Sequence, residues 1–146
     1  VAAPVTVCRE TLASHANHIY GVVANAKNAN ACTGEPGLTN ARLMQQLAAQ
    51  AAADQLNMPE LTAEHFLVLS TGVIGQQMPM DKIATGIAAA SQKLSSEGGL
   101  DAAKAIIALL ICALAVVLLS SDMRFQSGGS VTDIGYDELI TAFTEL

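Results

Sequence analysis

At 146 residues the chain can bury one domain's core, and its 13 acidic against 7 basic side chains give a net charge of −6. That balance lacks the basic footprint a phosphate backbone needs, so nucleic acid is excluded as a partner. Hydrophobic residues make up 51% of the chain but aromatics only 3%, so the expected core is Ala, Val, Ile and Leu in close helix–sheet layers.

In chain order, Val1 is not an initiator methionine and no signal-peptide pattern follows it, so the start reads as cut into a larger protein. Val5 to Arg9 and Ile19 to Asn25 are short β-rich runs, predicted as strands. Thr39 is placed to cap a helix from Asn40 to about Leu56, with Leu43, Met44, Leu47 and Ala51 on one stripe. Asn57-Met58-Pro59 stops it. Phe66 to Leu69 is expected to be a buried strand. Asp81 would cap a second helix through Leu94, whose Ile83, Ile87 and Leu94 face the core. Gly98-Gly99 breaks that helix, and Asp101 starts a third. Alternating strands and helices imply an α/β layered domain, a mixed sheet packed with helices.

The run Ala105 to Leu119 has no polar side chain. It is shorter than the roughly 20 residues a membrane span needs. A buried helix is expected there, and a membrane is not an expected partner. Arg124 to Leu146 holds a Gly-Gly turn at Ser127-Gly128-Gly129-Ser130, and a short acidic helix is expected from Asp133.

Cys8, Cys32 and Cys112 are odd in number, far apart and without a Cys-x-x-Cys pair. His15, His18 and His65 show no metal spacing beside them. Inert, buried thiols in a reduced, cytoplasmic compartment are expected, with no metal. His15 and His18 are expected in solvent, and Glu10, Asp81 and Lys82 as surface or capping groups.

The chemistry concentrates at Ser70-Thr71-Gly72-Val73-Ile74-Gly75. A strand ending in Ser-Thr-Gly delivers a hydroxyl and an unhindered amide to its carboxyl end, where open α/β sheets build sites. Glycine at 72 and 75 permits approaches a Cβ forbids. Such a tip suits an anion or a developing oxyanion, and equally a tight turn that only needs small residues. A second strand-to-loop transition lies upstream at Val22 to Gly34, rich in Asn. Asn25, Asn28 and Asn30 read as turn residues bonding their own backbone, a scaffold behind the site.

Several phrases in order resemble the ornithine acetyltransferase family, the bifunctional glutamate N-acetyltransferases of arginine biosynthesis. They are Ala3-Pro4-Val5, Asn25-x-x-Asn28-Ala29-Asn30-Ala31-Cys32-Thr33-Gly34, Ser70-Thr71-Gly72-Val73-Ile74-Gly75, Met78-Pro79-Met80-Asp81-Lys82-Ile83 and Gly86-Ile87. The resemblance covers roughly Val1 to Ile106, part of the family's α chain, and implies an incomplete N-terminal-nucleophile-like fold. It divides the chain into a partial α-chain domain, 1–106, and a non-family tail, 107–146.

The family cleaves its own precursor before a threonine, and the new amino-terminal Thr of the β chain takes acetyl from N-acetylornithine and passes it to glutamate. The free α-amine serves as base for its own hydroxyl, and the acyl-enzyme divides one hard transfer into two steps. The resemblance implies that the Thr71 hydroxyl and the Gly72 amide are the oxyanion donors. It further implies no organic cofactor, a β-chain partner and a heterotetramer of two α and two β chains. Without the β-chain threonine this chain alone would be inactive.

Two departures stand out. Lys27 occupies a position where the family usually has glycine; if φ there is positive, lysine costs about 1 kcal/mol or more. After Ile106 the apolar run replaces a Met-Thr-Thr-Asp phrase that the family uses to contact substrate. Read in a neighbouring frame, Leu110 to Leu114 could encode Asp-Met-Arg-Pro, so a frameshift is one account of the tail. The alternative function is non-catalytic: a truncated remnant, membrane-attached or partner-binding through Ala105 to Leu119. A different acyl-binding α/β domain sharing these turn phrases is a third, weaker possibility.

Overall fold

The computed structural model describes residues 1–107 and 114–118. Its first element, α1 (Ala3–His15), is a helix where the β-branched run Val5 to Arg9 predicted a strand. Two local signals override the propensity. Pro4 sits in the first turn, where its missing N–H is not needed. Ala3, Val7 and Thr11, four residues apart, are buried and form a helical stripe.

A 3-10 turn at 16–18 leads into β1 (Gly21–Asn25). The long helix α2 (Gly34–Leu56) begins earlier than predicted. Thr39 lies within it, its hydroxyl donating to the Glu35 carbonyl at 3.2 Å rather than capping. Gly34 to Gly37 looks like loop sequence, yet Pro36 is tolerated in a first turn and Glu35 complements the helix dipole there. Asn57 closes α2 in the left-handed conformation, its N–H donating to Ala53, as the stop signal implied.

A second 3-10 turn at 63–65 feeds β2 (Phe66–Ser70). Then come α3 (Met80–Ser91) and α4 (Gly99–Ile107). Asp81 is inside the first turn of α3 rather than at its cap, and the helix ends before Leu94. Ile83 and Ile87 do face the core.

The last described element corrects the expectation of an apolar helix over Ala105 to Leu119. Residues 105–107 finish α4, and β3 (Leu114–Leu118) is a strand. An unbroken apolar run carries no period that distinguishes buried helix from buried strand. Val116 and Val117 are β-formers, and β1 has an edge free to pair. The expected turn at Ser127–Ser130 and the helix from Asp133 lie outside the described residues.

The sheet has order β2-β1-β3. β1 and β2 are parallel, Val23 opposite Val68, while β3 runs antiparallel with Val116 opposite Val23. The mixed sheet packed with helices is as the sequence implied. Val23, Val68 and Phe66 meet Met44, Ala48, Ala52, Ile83 and Ile87 in one core. Alanines along α2 let that helix lie close to the sheet. On the other strand positions cover is thinner, and Leu69 is 43% exposed.

Side chains close the outer edge of β2. The buried Gln45 amide donates to the Phe66 carbonyl at 2.7 Å and the Thr11 hydroxyl at 3.0 Å. Cys8 accepts from the Val68 N–H and donates to its carbonyl, both at 3.3 Å. An edge satisfied in this way cannot template another strand there.

Candidate functional site

Beyond the carboxyl ends of β1 and β2 the two chains stay paired as loops. The amide of Thr71 donates to Asn25 (2.9 Å), Val73 to Lys27 (2.9 Å), Ala29 to Val73 (2.9 Å) and Gly75 to Ala31 (3.0 Å). This extended ladder fixes Thr71 and Gly72 at the sheet's tip. Thr71 is half-buried, and Gly72 through Gln77 are exposed, so the tip has an open face. Among the described residues the Gly72 amide has no backbone partner.

Gly72 has φ +130, and a Cβ on it would lie 2.1 Å from the Lys27 carbonyl carbon. Only glycine fits this position. Lys27 itself has φ +83, so this position does require the conformation that lysine resists.

The Asn-rich loop is a scaffold. Asn25 donates to the Asn28 carbonyl at 2.8 Å. The Ser70 hydroxyl donates to Asn25 Oδ1 at 2.7 Å and accepts from the Asn30 N–H at 3.0 Å. Asn30, 1% exposed, donates to the Gly37 carbonyl at 2.8 Å and accepts from the Thr33 hydroxyl at 2.6 Å. It therefore ties the loop to the start of α2. Gly37 must be glycine because a Cβ would lie 1.9 Å from Thr33 Oγ1. Gln77 returns a bond to the Thr33 carbonyl at 3.1 Å. Sequence reasoning missed Ser70 and Gln77 as the cross-links; the small hydroxyl directly before Thr71 was the available signal.

An open cavity of about 270 Å³ runs between α1 and the end of β2, lined by Pro4, Val5, Cys8, Leu12, Leu69 and Ser70 among others. The strand prediction for Val5 to Arg9 hid it, since its wall is a helix. Burial pushes the Cys8 thiol up from its ordinary value, the Val68 hydrogen bond opposing, so Cys8 is the inert thiol expected. Cys32 is exposed instead, held outward at φ 58. Cys112 lies outside the described residues.

The remaining candidates lie away from the tip. Glu10 pairs with Arg42 at 3.0 Å on the surface. His18 is exposed, while His15 is paired with Glu64 at 3.1 Å rather than free in solvent. Among the described residues no group of three potential metal ligands exists, and no helix is long and apolar enough to cross a membrane.

The arrangement is a helix-backed mixed sheet, an α/β layered domain, with Thr71 half-buried and Gly72 exposed at its tip. Comparison with known proteins gives the family. The model of the ArgJ family matches residues 1–109, and the chain belongs to that family. The arginine biosynthesis bifunctional protein ArgJ of Symbiobacterium thermophilum is 48% identical over 106 residues, 73% of this chain and 24% of that protein. Its counterpart in Prochlorococcus marinus is 40% identical over 103 residues, 70% of this chain and 23% of its own. The chain thus spans about a quarter of the length of these relatives. The ornithine acetyltransferase of Mycobacterium tuberculosis, solved with ornithine, superimposes with a TM-score of 0.68 at 28% identity, over 82% of this chain and 66% of that one. The ArgJ structure from Bacillus halodurans gives 0.55 at 26% identity, over 81% of this chain and 65% of its own.

Proposed function

We propose that the chain supplies the oxyanion-binding half of an acetyltransferase of arginine biosynthesis, which moves acetyl from N-acetylornithine to glutamate. The observation that carries the proposal is the Thr71–Gly72 tip: Thr71 half-buried and Gly72 exposed, fixed by the loop ladder, and with the Gly72 amide free of a backbone partner among the described residues. A tetrahedral intermediate places negative charge on the former carbonyl oxygen. Donors that are already oriented stabilise that charge without reorganising at the moment of reaction. Gly72 offers its amide and Thr71 its hydroxyl.

The nucleophile in this reading is the amino-terminal threonine of a β chain, which pairs with this chain in a heterotetramer of two α and two β chains. Its hydroxyl attacks the acetyl carbonyl, its own α-amine takes the proton, and ornithine leaves. Glutamate then reverses the sequence on the acyl-threonine. Residues 1–106 carry the family contribution in a cytoplasmic enzyme. The segment 107–146 stands outside it, apart from the strand β3 that completes the sheet.

The test is a chimera in which residues 1–106 replace the matching segment of an active relative. Acetyl transfer from N-acetylornithine to glutamate is expected to survive. A folded, cleaved chimera without transfer, beside an active parent, would overturn the assignment.

A further inference from the structure

The helix α1 carries two stripes, and only one of them is covered. Ala3, Val7 and Thr11 are buried. Val5, Cys8, Arg9 and Leu12 recur at i, i+3, i+4 and i+7 on another face, and all four line the open cavity of about 270 Å³ beside the end of β2. Leu69 lines it from the strand side, and Val5, Leu12 and Leu69 are exposed. The polar groups of that groove are already committed, the Cys8 thiol to Val68 and the Ser70 hydroxyl to Asn25 and Asn30. The ion pairs among the described residues leave Arg9 out. A complementary occupant therefore has an apolar ridge and negative charge beside it.

The chain contains a segment of that description. The family match stops at residue 109, so the segment lies outside the family's pattern. Tyr136, Leu139, Ile140, Phe143 and Leu146 recur at helical spacing. Asp133, Asp137, Glu138 and Glu145 accompany them, and no lysine, arginine or histidine occurs after Arg124. A short amphipathic helix is marginal alone in water and gains stability from a groove that takes its apolar face. Reach is ample. β3 ends at Leu118, opposite Gly21 of β1, which pairs in turn with Phe66 of β2. Two strand spacings, about 10 Å, separate Leu118 from β2, and residues 119–135 can extend up to roughly 56 Å.

We propose that Tyr136 to Leu146 docks as an amphipathic helix into the groove between α1 and β2 of the same chain. Its apolar stripe fills the space between Val5, Leu12 and Leu69, and its carboxylates lie on the Arg9 side. Seated there, the segment closes the cavity beside Ser70. The proposal is independent of the oxyanion reading and stands or falls without it.

The test is amide hydrogen exchange on the full 146-residue chain, with a synthetic peptide of Tyr136 to Leu146 as the reference. The amides of 139–146 are expected to exchange at least about tenfold slower in the chain than in the peptide. Leu12→Asp in the groove and Phe143→Asp in the segment should each return them to the peptide's rates. Arg9→Gln should cost about two- to fivefold in protection, as an exposed ion pair does. Amides of β1 and β2 should stay protected in all three variants, which separates lost docking from lost fold. If Leu12→Asp disturbs the strands, Phe143→Asp alone decides. Tenfold dilution of the wild type should change nothing. Peptide-like rates in the wild-type chain overturn the proposal, as does protection that survives both aspartate substitutions. Protection lost on dilution also overturns it, because the groove then holds the segment of a second copy.

Discussion

The α-carbon of Gly72 rests against the peptide joining Lys27 to Asn28, so close that a Cβ there would meet the Asn28 nitrogen at 2.6 Å. Gly72→Ala must therefore part the two loops as well as adopt φ +130. A destabilisation of about 3 kcal/mol is expected from strain and overpacking together. Urea denaturation measures it; a loss below about 1 kcal/mol would mean the loops separate freely.

Asn30 holds the Gly37 carbonyl and the Thr33 hydroxyl through one buried carboxamide, while its backbone N–H donates to the Ser70 hydroxyl. Asn30→Ala leaves the Gly37 carbonyl and the Thr33 hydroxyl without their partner, at a cost of about 1–3 kcal/mol. Asn30→Asp, which keeps the acceptor for Thr33 but loses the donor to Gly37, should also destabilise. Thermal melts of the two variants against wild type give the comparison. Unchanged melting in both would deny Asn30 its scaffold role.

His65 makes folding pH-dependent at the opposite end of the sheet. Burial first, then the neighbouring charges of His18 and His15, hold its imidazole below the ordinary 6.5, with Glu64 and Glu60 opposing. Below that value the unfolded chain binds more protons on this group than the folded one. Stability contributed by His65 is thus present above it and is lost on acidification. Protonation also competes with the Thr62 N–H, which donates to Nδ1 at 3.0 Å. His65→Asn keeps an acceptor and cannot titrate, so its stability should change less between about pH 7 and pH 5. Denaturation midpoints at both pH values provide the check, and equal slopes would refute it.

What the residues revealed in advance followed from local chemistry. The helix stop at Asn57-Met58-Pro59 and the strand from Phe66 to Leu69 were legible, because each depends on a few adjacent side chains. A positive φ at Lys27 followed only as a condition, from the glycine the family usually has there. Tertiary terms hid the rest. Val5, Thr6 and Val7 look like a strand, but burial of Ala3, Val7 and Thr11 on one stripe makes them helical. Gly34 to Gly37 looks like a loop, yet Asn30 and Thr33 anchor it as the first turn of α2. Leu114 to Leu118 is a strand because β1 has an edge to pair with, a fact no window of that run contains. Ser70 and Gln77 went unnoticed because their partners lie 40 or more residues away.

The central claim is that Thr71 donates to an oxyanion, and Thr71→Val in the active chimera tests it most directly. Valine keeps the shape and removes the hydroxyl. The account predicts a fall in kcat of about 10²–10³-fold with KM little changed. A Thr71→Val enzyme that keeps kcat within about threefold of its parent would contradict it.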